Sequence, residues 1–353
     1  MKLFEDKTVI VTGGTGSLGK ILVKRILSGE AGLPKKLIVF SRDEAKQHFM
    51  RLSFLNKLNA TDETIYKNFK ERLEFRIGDV RDYHSVCSLL RNANIVINAA
   101  ALKQVPSCEY FPFEAVRTNI EGAENIVRAV RENNFPIETV VGVSTDKACK
   151  PVNVMGMTKA IQEKVFISAN ITIPEIRFIC VRYGNVLASR GSVIPLFHDQ
   201  IESGGPLTIT TGDMTRFLLP LNRAVDTIFN AIDRALPGEI FIPKVKATNM
   251  VTLAKALIGE RDIEIKYMGI RPGEKIHEIM VSDVEAPRAY ESGDFYAIRP
   301  MLPELVENLE EGCLSEQYSS SDDLMNLEET TDFLFEHELH IGQAQMTVGE
   351  ILR

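Results

Sequence analysis

Short runs of aliphatic and β-branched residues punctuate the first half of the chain, and most are followed by a stretch with helical spacing. Thr8 to Thr12 is such a run, and the pattern predicts a buried parallel strand there. Further strands are expected at Lys36 to Phe40, Arg72 to Ile77, Ile95 to Ala99, Thr139 to Val143 and Phe178 to Tyr183. Between them, apolar residues three and four apart predict helices, clearest at Leu18 to Leu27, Phe113 to Asn133 and Val154 to Ala169. Strands alternating with helices imply right-handed crossovers and an α/β fold with a doubly wound parallel sheet.

The rhythm breaks after Gly184. Gly, Pro and Thr become frequent between Ser189 and Arg216, a helix follows at Asn222 to Leu236, and a strand at Glu239 to Ile242. The expected organisation is one sheet domain, residues 1–185 with about 218–246, interleaved with a smaller α/β lobe, 186–217 with 247–353. The acidic end (Pro303 to Glu311, Asp322 to Glu336) reads as a solvated, partly frayed tail. The 353 residues suffice for a large core.

The net charge of −7 argues against a general nucleic-acid or anionic-membrane surface, while leaving room for a local basic pocket. Cys87, Cys108, Cys149, Cys180 and Cys313 form no CxxC pair and read as reduced thiols, which points to a cytoplasmic protein. No apolar run reaches ~18 residues, so no membrane span is expected. The histidines show no metal-ligand spacing, His198 and His277 read as structural, and no metal site is expected. No G-x-S-x-G elbow supports serine hydrolysis.

Thr12-Gly13-Gly14-Thr15-Gly16-Ser17-Leu18-Gly19 follows a predicted strand and opens a predicted helix. A tight turn needs Gly13, close approach of a pyrophosphate needs Gly16, and helix–strand packing favours Gly19. The helix start then offers backbone N–H groups to phosphates, so the context points to a dinucleotide. About twenty residues on, where an acidic residue would bind a ribose diol, stands Phe40-Ser41-Arg42-Asp43. Ser41 and Arg42, with Lys46 one helical turn beyond, suit a 2′-phosphate and favour NADP. Asp43 keeps NAD open unless it caps the next helix. Asp79 and Val80 fall where an adenine would lie, although Asp79 could equally be an N-cap. Asn98-Ala99-Ala100-Ala101 offers small residues for the cofactor ribose.

Residues at the carboxyl ends of parallel strands face the ligand crevice. Thr145, Asp146 and Lys147 stand at such an end, and Met155 and Lys159 share a face of the following helix. A solvated turn pair is the plain alternative for Asp146 and Lys147. Their position ahead of Lys159 favours chemistry. Downstream, Arg182-Tyr183-Gly184-Asn185-Val186, Ser189-Arg190-Gly191-Ser192, Thr215-Arg216-Phe217 and Arg271-Pro272-Gly273-Glu274-Lys275 supply cations beside turns. The guanidinium forks of Arg216 and Arg271, with Lys275, suit a diphosphate.

These motifs, together with Gly78-Asp79-Val80-Arg81-Asp82 and Ala99 to Glu109, resemble the UDP-N-acetylglucosamine 4,6-dehydratases, a polysaccharide and capsule branch of the extended short-chain dehydrogenase/reductases. The resemblance spans about residues 3 to 300, and Gln317 to Ser321 resembles the family's C-terminal segment. It implies a Rossmann fold and a cycle on a UDP-sugar: oxidation at C4, loss of water across C5–C6, and return of hydride to C6. Asp146 is implied as the acid for the C6 hydroxyl, Lys147 as the base at C5, and Thr145 as the holder of the C4 oxygen. A lysine base needs a lowered pKa, which burial could supply. Lys159 is implied on the cofactor ribose and Tyr183 beside the cofactor. Lys103, Asn119, Asn185, Arg190, Arg216, Arg271 and Glu274 are implied around the substrate. A homo-oligomer is also implied, with a dimer as building block and a hexamer as one form; the helices at Phe113–Asn133 and Val154–Ala169 could pair across the dimer.

Such enzymes commonly carry Tyr-x-x-x-Lys, with the tyrosine as acid/base, and here Met155 fills the tyrosine position. Methionine cannot transfer a proton. The taker of the O4 proton and the stereochemistry at C5 stay open. A UDP-hexose 4-epimerase shares fold, cofactor and substrate grip but normally relies on the missing tyrosine. A non-catalytic NADP sensor would not need Asp146 and Lys147.

Overall fold

A computed structural model describes residues 2–55, 61–187, 193–306 and 312–341. The first half alternates as the hydrophobic pattern predicts: β1 (Thr8–Thr12), α1 (Ser17–Ser28), β2 (Lys36–Ser41), α2 (Glu44–Leu55), α3 (Thr61–Arg72), β3 (Leu73–Ile77), α4 (Tyr83–Leu90) and β4 (Ile95–Asn98). Two short helices, α5 (Val105–Tyr110) and α6 (Pro112–Ala115), precede α7 (Gly122–Glu132), β5 (Thr139–Val143), α8 (Val154–Thr172) and β6 (Arg177–Val181). The expected single helix over Phe113–Asn133 is interrupted. Val116–Glu121 is wound as a π-helix, with Asn119 inside it. Asn119 is wholly buried and tied to Leu102 and Thr158, and these bonds accompany the widened turn.

The second half supplies α9 (Val193–Glu202), β7 (Leu207–Ile209), β8 (Thr215–Phe217), α10 (Leu221–Arg234), β9 (Ile240–Pro243), β10 (Ala247–Asn249), α11 (Met250–Ile258), β11 (Ile265–Tyr267) and β12 (Ile279–Val281). The hairpin β13 (Ala289–Ser292) and β14 (Phe295–Ile298) follows, then β15 (Tyr318–Ser319), β16 (Leu324–Met325) and α12 (Leu327–Glu336). A nine-stranded sheet runs β13-β14-β9-β6-β5-β4-β1-β2-β3. The seven strands from β9 to β3 are parallel, and β14 and β13 extend the edge antiparallel. The chain thus returns to this sheet twice, whereas the sequence pattern marks only the first return.

Why these segments form these elements is plain from their side chains. All five residues of β1 are buried, as a strand covered on both faces requires. Along α1, Leu22, Val23, Ile26 and Leu27 form one stripe with no exposed area, each contributing roughly 1.5–3 kcal/mol by burial. Gly29, at φ +81°, ends that helix in the left-handed region. One sheet face is covered by α4, α7 and α8, the other by α1, α3 and α10. A third core joins α9, β7, α11 and α12.

The acidic tail departs from expectation in part. Residues 322–336 are docked: β16 pairs with β10, and Asn326 with Glu329 forms a capping box that starts α12. Thr330 meets Thr248 in a buried hydroxyl contact. Among the described residues no helix is long and apolar enough to cross a membrane.

Candidate active site

The sheet order reverses between β1 and β4, which opens a crevice at their carboxyl ends. Thr12 Oγ1 donates to Asn98 Oδ1 at 2.6 Å and accepts from the Ala100 N–H, tying the two strand ends together. Gly13 sits at φ +66°, and a side chain there would meet the Ala100 nitrogen at 2.7 Å and the Ala99 carbonyl carbon at 2.8 Å. A Cβ on Gly19 would lie 2.5 Å from Gly14. The turn therefore demands glycine at both positions. Gly16 stands at the N-cap of α1 in extended conformation and has no side chain with which to cap the helix. Thr15 is buried beneath the turn, and Ser17 and Leu18 lie half-buried at the helix start. A helix N-terminus with glycine as its N-cap, behind a glycine-rich turn, fits the pyrophosphate of a dinucleotide.

At the end of β2, Asp43 Oδ1 accepts the Lys46 N–H at 2.9 Å, and its other oxygen pairs with the Lys46 ammonium at 2.7 Å. Asp43 is thus committed to the start of α2, and Lys46 is committed to Asp43. Ser41 is bonded through its oxygens by Gln47. Arg42 is exposed, 3.7 Å from Asp79. Asp79 is not a helix N-cap: Asp82 holds that place on α4, accepting the His84 N–H. The Asp79 carboxylate instead grips Arg81 at 2.7 Å. Burial pushes the Asp79 pKa up, but Arg81 and Arg42 outweigh it and bring it below the usual value. Val80 is buried against Gly122.

The Thr145–Lys147 corner contains a single 3-10 turn, Asp146–Ala148, capped by Thr145 and laid against the end of β6 by the Asp146 N–H to Tyr183 carbonyl bond. Helix α8 crowds it so closely that a Cβ on Gly156 would stand 2.2 Å from the Lys147 carbonyl oxygen. Asn153 caps α8 and also donates to the Gly273 carbonyl, which draws the 271–278 segment over the turn.

Lys147 Nζ makes three contacts, to Asn185 Oδ1 at 2.9 Å, Asp146 Oδ1 at 3.0 Å and Glu278 Oε1 at 3.1 Å. Asp146 and Glu278 are almost wholly buried, and among the described residues each has one oxygen without a partner (Oδ2 and Oε2). Burial, reinforced by Glu278, raises the Asp146 pKa against the pull of Lys147. Burial lowers that of Lys147, but the two carboxylates outweigh it and the net shift is upward. This corrects the expectation of a lowered Lys147: its ammonium is stabilised. Glu278 is itself held low, since Lys147, Arg216 and Lys275 overcome its desolvation. Two other lysines do fall: burial lowers Lys275, and it brings Lys159 to about 8 while the Lys159 amine bonds the Val143 carbonyl and Gln162.

Met155 packs with Cys108 and Ala115 against Leu102, Val105 and Val154, so it fills a small apolar cluster. Asn119 does not present itself to a ligand. Its amide is spent on Leu102 and Thr158, and it orders the loop carrying Lys103, which is exposed. Arg216 is buried and turned inward, donating to the Thr215 and Ile276 carbonyls with its Nε 3.9 Å from Glu278. Arg271 is exposed, with its N–H on Glu274, and Lys275 donates to the Cys149 carbonyl. Tyr183 is buried, and its hydroxyl has no partner among the described residues. Arg182 is locked between Glu163 and Glu285 and cannot reach a substrate. Arg190 lies outside the described residues. Glu278 escaped the sequence reading. Its only signal is its place three residues after Lys275, in a segment already suspected of binding phosphate.

Residues 9–300 match a family described as polysaccharide biosynthesis protein. The chain is 42% identical over 345 residues to a UDP-glucose 4-epimerase of Rickettsia conorii, covering 94% of this chain and 96% of that one. It is 41% identical, at the same coverage, to a UDP-glucose 4-epimerase of Rickettsia bellii. Among solved structures, Pen from Bacillus thuringiensis superposes with a TM-score of 0.83 at 34% identity, covering 95% of this chain and 99% of that one. DesIV, a dTDP-glucose 4,6-dehydratase from Streptomyces venezuelae bound to NAD and TYD, gives 0.64 at 20% identity over 76% of this chain and 86% of its own, a likeness of fold. With the doubly wound sheet, the glycine turn and a match over most of its length, the chain belongs to the polysaccharide biosynthesis protein family, of the extended short-chain dehydrogenase/reductase type.

Proposed function

We propose that the protein is a UDP-N-acetylglucosamine 4,6-dehydratase that forms a UDP-4-keto-6-deoxy sugar for surface polysaccharide. The observation that carries this reading is the hydrogen-bonded pair of Asp146 and Lys147, 3.0 Å apart, beside a helix with methionine where a catalytic tyrosine would stand. A bound NADP supplies a hydride acceptor that gives back what it takes. Asp43 is spent on capping α2, which leaves Ser41 and Arg42 to meet a 2′-phosphate. In the proposed division, residues 1–185 with about 218–246 hold the cofactor, and the remainder holds the nucleotide sugar.

Dehydration needs an acid for the C6 hydroxyl and a base for the C5 proton. One proton passed from Lys147 to Asp146 along their hydrogen bond turns the resting ion pair into that acid and that base together. Burial favours the neutral carboxyl on Asp146. The C5 proton then goes to the Lys147 amine, the C6–O bond breaks, and the Asp146 proton leaves with the hydroxyl as water. Thr145 holds the C4 oxygen. Lys159 holds the nicotinamide ribose, and its pKa of about 8 makes it the group best suited to take the O4 proton. Lys103, Asn185, Arg190, Arg216, Arg271 and Glu274 are assigned to the UDP-sugar.

A second reading, a UDP-hexose 4-epimerase, is favoured by the names of the Rickettsia relatives. One assay separates the two. With UDP-N-acetylglucosamine in deuterated water, NMR is expected to show a 4-keto-6-deoxy product carrying deuterium at C5. A galacto epimer that keeps its C6 hydroxyl would mean epimerase.

A further inference from the structure

Glu278 belongs to no motif that suggested chemistry, yet it ends within 3.1 Å of the Lys147 amine. Its backbone is fixed on both sides by the C-terminal segment. The Glu278 N–H donates to Ser320 Oγ at 2.9 Å, and the Ser320 N–H donates to the Glu278 carbonyl at 2.8 Å. Ser320 Oγ also contacts Thr215 Oγ1 at 2.7 Å, joining the clamp to β8 and so to Arg216. A carboxylate held this firmly and this deeply, with Oε2 unpartnered among the described residues, is costly unless it serves a cation.

We propose that Glu278 is a positioning residue, which fixes the direction and the charge of the Lys147 amine at the mouth of the crevice. The proposal rests on the reading of Lys147 as the group that meets the substrate. The ammonium donates to Asp146 and Asn185 and pairs with Glu278 at 3.1 Å, so three oxygens on three separate segments hold it from different sides. Asn185 contributes direction without charge, and Asp146 is the proton's partner in the chemistry. Glu278 is the charge that stays. The groups facing Lys147 are Asp146 from its own turn, Asn185 from the end of β6, Glu278 and Lys275 from the segment before β12, and Arg216 from β8. Removing the Glu278 charge leaves Arg216 and Lys275 without their carboxylate, and all the remaining changes push protons off the site. Lys147 and Asp146 must then both titrate at lower pH, a shift in common that lost packing alone would not produce.

The test is the pH dependence of reductive methylation of Lys147 by formaldehyde and cyanoborohydride, read by peptide mass spectrometry on the full chain. Only the neutral amine reacts, so the midpoint reports its proton. Glu278→Gln keeps volume and an acceptor but removes the charge, and its midpoint is expected below that of the wild type. Glu278→Asp keeps the charge one methylene further away and is expected in between. If the Gln chain fails to fold, the Asp chain reads the same downward shift. Equal midpoints overturn the proposal. Turnover of UDP-N-acetylglucosamine is measured alongside, and kcat is expected to fall on the order of tenfold or more in Glu278→Gln with KM little changed. A shifted midpoint in a chain whose wild type only epimerises keeps the positioning role and rejects the dehydratase. Dehydration with an unshifted midpoint does the reverse.

Discussion

Two buried ion clusters lie side by side on the ends of β5 and β6, and they are finished differently. In the first, Arg182 spends all five N–H bonds on Glu163, Glu285 and the Met280 carbonyl. Ser144 completes Glu163, and Ser282 completes Glu285. Every oxygen of the two carboxylates has a donor. In the second cluster Lys147 meets three oxygens, but among the described residues Asp146 and Glu278 each have one oxygen without a partner, and the lysine side chain stays 19% exposed. Both clusters set carboxylates around a cation in the same interior. The first has no capacity left to bind or exchange anything, and so it locks β5, β6 and α8 to the 280–285 segment. The second retains polar capacity and access, which are the requirements of a working site.

The largest way to break this contrast is Arg182→Met. It strands Glu163 and Glu285, and urea denaturation is expected to show a loss of about 3–5 kcal/mol. Lys147→Ala should cost less stability, because Asp146 can take up a proton and Arg216 and Lys275 still face Glu278, while C5 deuterium exchange falls by about 10²–10⁴. A fold as damaged by Lys147→Ala as by Arg182→Met would erase the distinction. The locked cluster also has a pH signature. Burial pushes Glu285 up, but Arg182 and Ser282 bring it down to about 2. Its contribution is therefore complete above the unfolded carboxylate range near 4.5 and is lost as pH falls toward 2. Glu285→Gln should cost stability at pH 7, and the gap to wild type should close on acidification, as urea midpoints at several pH values would show. Arg42→Ala is expected to weaken NADP binding about tenfold with little change for NAD, by titration of either cofactor. The smallest effect is reserved for Met155→Leu: under about 1.5 kcal/mol in stability, with dehydration retained. Lost turnover there would move Met155 from packing to chemistry.

The legible parts of this site are local. Gly13 and Gly19 stand out in the sequence because the positive φ of Gly13 and the Gly19–Gly14 contact lie inside one turn, and Thr145, Asp146 and Lys147 are contiguous. The strand–helix rhythm exposed the sheet for the same reason, since each element's burial pattern is written in its own residues. What escaped are matters of distant contact. Asn119 looked like a substrate ligand, but its amide meets Leu102 and Thr158. The acidic residues of α12 looked like a loose tail, but Asn326 and Glu329 cap a docked helix. Lys147 was expected to lose its proton by burial, because the sequence places only Asp146 beside it.

The sequence by itself determined the order of strands and helices, the glycine turn after β1, and the contiguity of Thr145, Asp146 and Lys147. Only the tertiary structure decided how that corner is charged. Glu278 arrives 131 positions after Lys147 and is pinned by Ser320 from the C-terminal segment. Backbone geometry depends on neighbours in the chain. A proton's affinity depends on every charge within a few ångströms, whichever stretch of chain delivers it.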